Sequence, residues 1–408
     1  MGEKFLRVIS LTYIEENILN YFEIPIEKTT LPVFESLGYF TSEDIYAKIP
    51  LPPFKKSLVD GYAVRHNEVK GASAENPVML KLLGKIEIGS NPIDLTYPNS
   101  AVYVPTGGAV PLNADAVVMI ENTELVNDTL FVYKTVTEGE NIFNEGEEIK
   151  SNTLILKKGE RITPKVSGIL NTTGNRMIPV YKKVKVGFFS TGSELTEVYP
   201  LPIGKIYDFN NITLHSLLIK DGFNPTNYGI IEDSEAKIKK VLKTALDQND
   251  IVLMTGGTSK GELDFTVKTI NELGNPGVLI HGINVSPGKP TIFASISNKL
   301  VIGLSGNPLA TFLIYSLVVK ELIYKKLGFN YEKRKIYGIL SEDVNSRKGR
   351  DEFILGKLVS KDNKNFIEPI LADSSFSFAI KEAQGYFIIP SQFEGITANS
   401  IVEFYFFD

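Results

Sequence analysis

The stretch that most constrains this chain runs from about residue 178 to 329, where buried strand-like runs alternate with amphipathic helices. KVKVGFFSTG, FNPTNYGIIED and DIVLMTGG read as strands, separated by the helical runs NITLHSLLIKDG and SEAKIKKVLKTALDQ and followed by DFTVKTINELG. VLIHGINV, PTIFASI and KLVIGLSGNP come next, and then the apolar helix LATFLIYSLVVKELIYKKLG. Strands alternating with helices at this spacing predict a central, doubly wound parallel α/β sheet. The first helix is expected to be capped by Asn210 or Asn211 and to end at Gly222, and the second to be capped by Ser234. Ligands bind such sheets at the carboxyl ends of the strands. Three glycine loops fall there: STGSEL, TGGTSKGELD and LSGNPLAT.

The loops suit an anion. Backbone N–H groups at a helix start, beside the hydroxyls of Thr255, Thr258 and Ser259, fit phosphate or another oxyanion. Gly257-Thr258-Ser259-Lys260-Gly261 also matches the G-x-S-x-G nucleophile pattern, with Asp264 and His281 following in triad order. Asp264 comes only five residues after Ser259, too soon for the acid of that arrangement. The chain has no Gly-Lys-Ser/Thr, so this is no Walker A loop, and no G-x-G-x-x-G for a nicotinamide cofactor. Simpler readings stand beside each candidate. Asp264 could be a helix N-cap, Glu194 a first-turn carboxylate favoured by the helix dipole, and Gly306-Asn307-Pro308 a plain turn. Asp60, in SLVDGYAV, could belong to an Asp-Gly turn.

The rest of the 408 residues divides around this core. Residues 1–48 with 146–177 read as a mixed N-terminal and linker domain, containing one amphipathic helix in SLTYIEENILNYF. Residues 49–145 read as an all-β domain, 178–329 as the α/β domain, and 330–408 as a small C-terminal β-barrel or sandwich. The chain has no cysteine and three histidines, His66, His215 and His281, which excludes disulfides, a cysteine nucleophile and thiolate zinc sites. Metal chemistry would fall to carboxylates and suit a hard ion such as Mg²⁺. A net charge of −5 argues against a nucleic-acid binder relying on a basic field. No membrane association is expected, and the expected location is cytoplasmic.

Several motifs recur together in one known family. PPFKKSLVDGYAVR, VPTGGAVPLNADAVVMIENTE, GENIFNEGEEIKSNTLIL, VGFFSTGSEL, GKIYDFNN, MTGGTSKGELDF, SPGKPTIF and GLSGNPLATF stand here in the order and spacing of the MoeA family. The chain therefore resembles the molybdopterin molybdenumtransferases, relatives of the gephyrin E domain, from about residue 30 onward. The resemblance implies an elongated homodimer of four-domain chains. It implies insertion of molybdate, or tungstate, into adenylylated molybdopterin with Mg²⁺ and release of AMP. The cleft would lie between the α/β domain of one subunit and the DGYAV domain of the other. By resemblance, Asp60, Glu194, Asp264 and Lys289 would be catalytic, and Glu194, Asp208 and Asp264 would hold the metal. Thr106, Thr191, Gly192, Asp208, Asn210, Gly256, Gly257, Ser259, Gly261, Ser286, Gly306, Asn307, Pro308, Arg350, Ser374 and Ser375 would contact substrate. Other proteins of molybdenum-cofactor biosynthesis would be its partners.

The motifs also depart from the family pattern. K-P-G-K-P is here Ser286-Pro287-Gly288-Lys289-Pro290, so one cation is missing. Phe143-Asn144-Glu145 stand where the family usually carries arginines, and Ala310 stands for a common serine. The family's N-S-A-M-D-G-Y is Lys56-Ser57-Leu58-Val59-Asp60-Gly61-Tyr62. Lost positive charge is the reason to weigh a non-catalytic, pterin-binding or scaffold relative as the alternative, with a serine hydrolase at Ser259 a remote third.

Overall fold

The computed structural model describes residues 9–256, 263–373, 375 and 377–407. Its centre is a six-stranded sheet in the order Asn224–Ile231, Lys185–Thr191, Ile251–Thr255, Lys299–Leu304, Ile292–Ile296, Pro276–His281. The first four strands are parallel. Alternation along them sends Val186, Phe188, Leu253 and Ile302 into one core and Phe189, Val252, Met254 and Val301 into the other. Helices cover both faces: Phe209–Lys220 packs on one, and Glu235–Gln248 with Leu263–Leu273 on the other. The last two strands run antiparallel. No helix separates residues 281 and 292, so a parallel crossover has nothing to form from. The next connection is tight, with Ser297 at φ +51° and Asn298 at φ +64°, the geometry of a two-residue hairpin.

The apolar run after Gly306 forms Pro308–Ile314, a π turn at Tyr315–Val319, and Lys320–Leu327, closed by Gly328 at φ +67°. Buried here are Asp221 and Lys320, with Nζ 3.9 Å from Oδ1, and Tyr315, whose hydroxyl donates to Asp221 Oδ2 at 3.0 Å. Burial pushes the Asp221 carboxyl above its ordinary range, against the opposing pull of Lys320 and the Tyr315 hydroxyl.

Residues 49–145 carry a six-stranded sheet ordered Ala116–Met119, Gly61–Val64, Ser100–Val104, Val78–Lys85, Thr129–Val132, Thr123–Val126, with a core on each face. Lys28–Pro32 pairs with Met177–Tyr181 and Ile45–Tyr46 with Leu154–Leu156, around Val33, Ile162, Leu170 and Ile178. The first helix, Leu11–Asn17, buries Ile14 in the core of the α/β sheet, as do Ile18 and Phe22 just beyond it. The C-terminal strands close into a barrel. Asp351–Lys361 pairs with both Lys364–Ile370 and Gly385–Ile389, and Lys335–Leu340 and Ile401–Phe406 complete the ring. Among the described residues, no helix is long and apolar enough to cross a membrane.

Candidate functional site

The helix Phe209–Lys220 begins at the carboxyl edge of the sheet, and its N-cap is Asp208 rather than Asn210 or Asn211. Asp208 is extended, at φ −74° and ψ 108°, and its Oδ1 accepts from the Asn211 N–H at 3.1 Å. Asn210 and Asn211 are inside the helix, 6% and 3% exposed. Asn210 Nδ2 donates to the Gly306 carbonyl at 2.7 Å, tying this helix to the third glycine loop. Four buried polar atoms lack a hydrogen-bond partner among the described residues: Asp208 Oδ2, Asn210 Oδ1, and Asn211 Oδ1 and Nδ2. Leaving one such atom unpaired costs about 1–3 kcal/mol. A cluster of that cost within four residues points to a polar ligand. Ser234, the expected cap of the next helix, holds the N-cap position without a side-chain hydrogen bond.

The glycine loops meet because two of them lack a side chain. A Cβ on Gly256, at φ +85°, would lie 2.1 Å from the Thr191 carbonyl, and one on Gly306 would lie 3.6 Å from the Gly256 Cα. Beneath them Thr255 Oγ1 donates to Ser190 Oγ at 2.9 Å. Glu194 is exposed and folds back over the first loop, its Oε1 2.7 Å from where a Gly192 Cβ would stand. Its carbonyl accepts from Ile206 N–H at 2.9 Å, beside the short parallel pairing of Leu195–Thr196 with Ile206–Tyr207. Thr191, Gly192, Asp208, Asn210, Gly256 and Gly306 thus gather at one sheet edge. Gly257, Ser259 and Gly261 lie outside the described residues, as does the side chain of Asp264. No group of three or more metal-ligating side chains occurs among the described residues.

A second cavity, of about 430 Å³, opens between this domain and the barrel. Val285–Ser286 adds in parallel to Asp351–Glu352, so the SPGKP turn is fastened to the barrel wall. Gly288, at φ +112°, lets the turn approach the helix, since a Cβ there would lie 2.4 Å from Ile314 Cγ1. Ser286, Lys289, Asn307 and Arg350 all line the cavity, and Arg350 Nε is buried without a partner among the described residues. Asn307 also holds the N-cap position of Pro308–Ile314, which connects this cavity to the glycine loops. Ser375 lines a neighbouring cavity on the barrel. Its N–H and hydroxyl donate to Asp373 Oδ1 at 2.9 and 2.7 Å, which holds the Asp373 carboxyl below its usual range. Ser374 is outside the described residues.

Sequence reasoning missed Asn211 as a site residue, and Asn345, Glu352 and Asp373, which also line the cavity. Asn211 stood beside a chosen residue in the pair Asn210-Asn211, while the other three announce themselves only once the barrel has closed.

Asp60 and Thr106 form their own group. Asp60 is exposed, and its Oδ1 accepts from the Thr106 N–H at 2.8 Å. The Asp-Gly turn reading does not hold: Gly61 opens the strand Gly61–Val64, and a Cβ there would lie 2.1 Å from the Val118 carbonyl oxygen. Glycine is required by close strand packing. No residue of 49–145 lines the cavity holding Lys289 and Arg350.

Comparison with known proteins gives this arrangement a context. Residues 187–325, the glycine-loop sheet, match a family model described as a probable molybdopterin binding domain. Residues 9–174 match the MoeA N-terminal region (domain I and II), and 337–407 the MoeA C-terminal region (domain IV). A putative molybdopterin biosynthesis protein of Methanocaldococcus jannaschii is 36% identical over 400 residues, covering 96% of this chain and 95% of the relative. The molybdopterin molybdenumtransferase of Bacillus subtilis is 32% identical over 391 residues, 94% of this chain and 90% of that one. A solved molybdopterin biosynthesis MoeA protein of Pyrococcus horikoshii superposes with a TM-score of 0.82 at 32% identity, covering 98% of this chain and all of that one. The chain belongs to the MoeA family.

Proposed function

We propose that this chain is a molybdopterin molybdenumtransferase, inserting molybdate, or tungstate, into adenylylated molybdopterin with release of AMP in molybdenum-cofactor biosynthesis. Full-length relatives of that activity support the reaction. The observation that carries the assignment to this site is the set of four buried atoms at Asp208–Asn211 with no partner among the described residues, beside the touching glycine loops.

Cleaving a phosphoanhydride calls for positioning and charge neutralisation more than for a covalent step. Asn210 and Asn211 would bind and orient the pterin nucleotide. The loop at Gly256, continuing through Gly257, Ser259 and Gly261, would cradle its phosphates, so Ser259 serves as a contact and not a nucleophile. Lys289 and Arg350 would hold the oxyanion across the second cavity. Mg²⁺ fits the donors present, because it is commonly held by one or two carboxylates together with substrate phosphates, and Asp208 Oδ2 is a hard, buried oxygen with no partner among the described residues. When bound, the ion would neutralise phosphate charge; Asp208 would hold it, with Glu194 and Asp264 the further carboxylates the family resemblance implies. Asp60 and Thr106 would complete the cleft from a second copy of the chain in a homodimer, working in the cytoplasm with other cofactor-biosynthesis proteins.

The test is AMP release from adenylylated molybdopterin with Mg²⁺, with and without molybdate or tungstate. Oxyanion-dependent release is expected. Pterin binding without release would replace the transferase with a scaffold role, and an esterase activity lost in Ser259→Ala would replace it with a hydrolase.

A further inference from the structure

Residues 9–23 cross the α/β sheet from one end of its strands to the other. At the amino end, beside the Ser297-Asn298 hairpin, Glu23 N–H donates to the Asn298 carbonyl at 2.8 Å. The Ser295 hydroxyl donates to the Tyr21 carbonyl at 2.5 Å, and Lys326 Nζ to the Leu19 carbonyl at 3.0 Å. In between, Ile14, Ile18 and Phe22 are buried in the core that also takes Ile280, Ile283 and Val285. At the carboxyl end, just past His281, Ile9 pairs in parallel with Ile283. Ile9 N–H donates to the Gly282 carbonyl at 3.3 Å, and Asn284 N–H donates to the Ile9 carbonyl at 2.8 Å.

Gly282–Asn284 is the base from which the SPGKP turn projects. Ile283 N–H donates to the Lys289 carbonyl at 2.9 Å, and Gly282 N–H to the Thr291 carbonyl at 3.0 Å. The Asn284 carbonyl accepts from Asp351 N–H at 3.1 Å, the first link to the barrel wall. The turn has little stiffness of its own, since Val285–Ser286 pairs with the barrel over two residues only. We propose that residues 9–23 are a brace that positions Lys289, with the Ile9 backbone as its point of contact. The inference rests on the transferase reading for what Lys289 does, and not for how its turn is held. A lysine on a short turn acts only while the turn is fixed, because a misplacement of about 1 Å at a reacting group can cost about 100-fold in rate. The bonds made by Ile9 are backbone bonds, so no residue-type motif marks the position.

The test is AMP release by the full chain, with hydrogen exchange of backbone amides read by mass spectrometry. Ile9→Pro removes the N–H that reaches Gly282. It is expected to lower AMP release about tenfold, with the melting temperature unchanged and faster exchange confined to 282–291 and 351–352. Ile9→Val keeps the backbone pairing and is expected to behave as wild type. In a Lys289→Ala background, Ile9→Pro is expected to cost less than about twofold more, because both changes act through one side chain. A fully additive loss overturns the proposal, as does unchanged AMP release in Ile9→Pro. Should Ile9→Pro fail to fold, the wild-type chain decides. Slow exchange of the Asn284 amide supports the brace, and exchange as fast as in an open loop overturns it. A wild-type chain that releases no AMP, while exchange at 282–291 depends on Ile9, removes the transferase reading and leaves the brace.

Discussion

Two loops of this molecule share a short sequence, Thr-Gly-Gly at 106–108 and at 255–257, and their surroundings differ. Around Thr106 the backbone is satisfied from within. Thr106 N–H reaches Asp60, Gly107 N–H the Ser57 carbonyl, and Gly108 N–H the Pro105 carbonyl, each at 2.8 Å. Around Gly256 the neighbouring helix start leaves four buried polar atoms without partners among the described residues. The first loop is finished as a surface, ready to be presented to something else. The second region, on the proposed function, is completed by a ligand. A polar group satisfied by its own chain contributes to folding, whereas one left open lowers stability and is retained because binding recovers the difference.

That contrast can be broken by substitution, and Asp208 should give the largest effect. Asp208→Asn keeps a side-chain oxygen for the cap but removes the charge. Turnover, followed as AMP release, should fall by about 100-fold with the melting temperature unchanged. Asp208→Ala should add a stability loss of about 1 kcal/mol from the missing cap, measured by urea denaturation. Full activity in Asp208→Asn would show that the open oxygen serves no ligand. On the satisfied side, Gly61→Ala should destabilise the 49–145 sheet by about 3 kcal/mol, because its Cβ meets the Val118 carbonyl at 2.1 Å. A normal melting curve would remove the close-packing argument for that glycine. Asp60→Ala should lower turnover about 10-fold with little change in folding. If the two regions meet across a dimer, mixing the impaired Asp60→Ala and Lys289→Ala chains should give more activity than the mean of the two alone, and no such gain would place both in one subunit's site.

The smallest expected effect concerns Asp221, a buried polar group that does have partners. Its carboxyl is raised above 3.8 in the folded chain, so the fold favours the protonated form. The contribution is fully present below 3.8 and is lost as pH rises through the folded value. Stability measured by urea midpoint should therefore decline across the window just above 3.8, and the decline should flatten in Asp221→Asn.

Much of this was legible in the residues. The strand and helix rhythm between 185 and 327 stood in the sequence because buried parallel strands are continuous apolar runs, and the glycine loops marked their carboxyl ends. Two signals were present and misread. Ser297-Asn298 is a hairpin turn, and the span from His281 to Thr291 has no room for a crossover helix, so the final strands had to run antiparallel. Asp208 was read for its charge while its neighbours were read as the cap; one side chain does both, with one oxygen on each task. What the sequence did not display was the second cavity. Its walls come from residues about 285, 307, 350 and 372, and their meeting depends on a two-residue pairing between Val285–Ser286 and Asp351–Glu352 that is too short for any periodicity.

That pairing also orders events in time. The strand bearing Asp351–Glu352 is fixed in the barrel by Gly385–Ile389, and the ring closes through Ile401–Phe406. During synthesis the glycine-loop sheet can be assembled once residue 304 has emerged, yet the wall carrying Arg350 waits for about a hundred residues more. A nascent chain therefore acquires its glycine-loop edge first and the cavity holding Lys289 and Arg350 last, so a half-made chain carries one of the two proposed sites without the other.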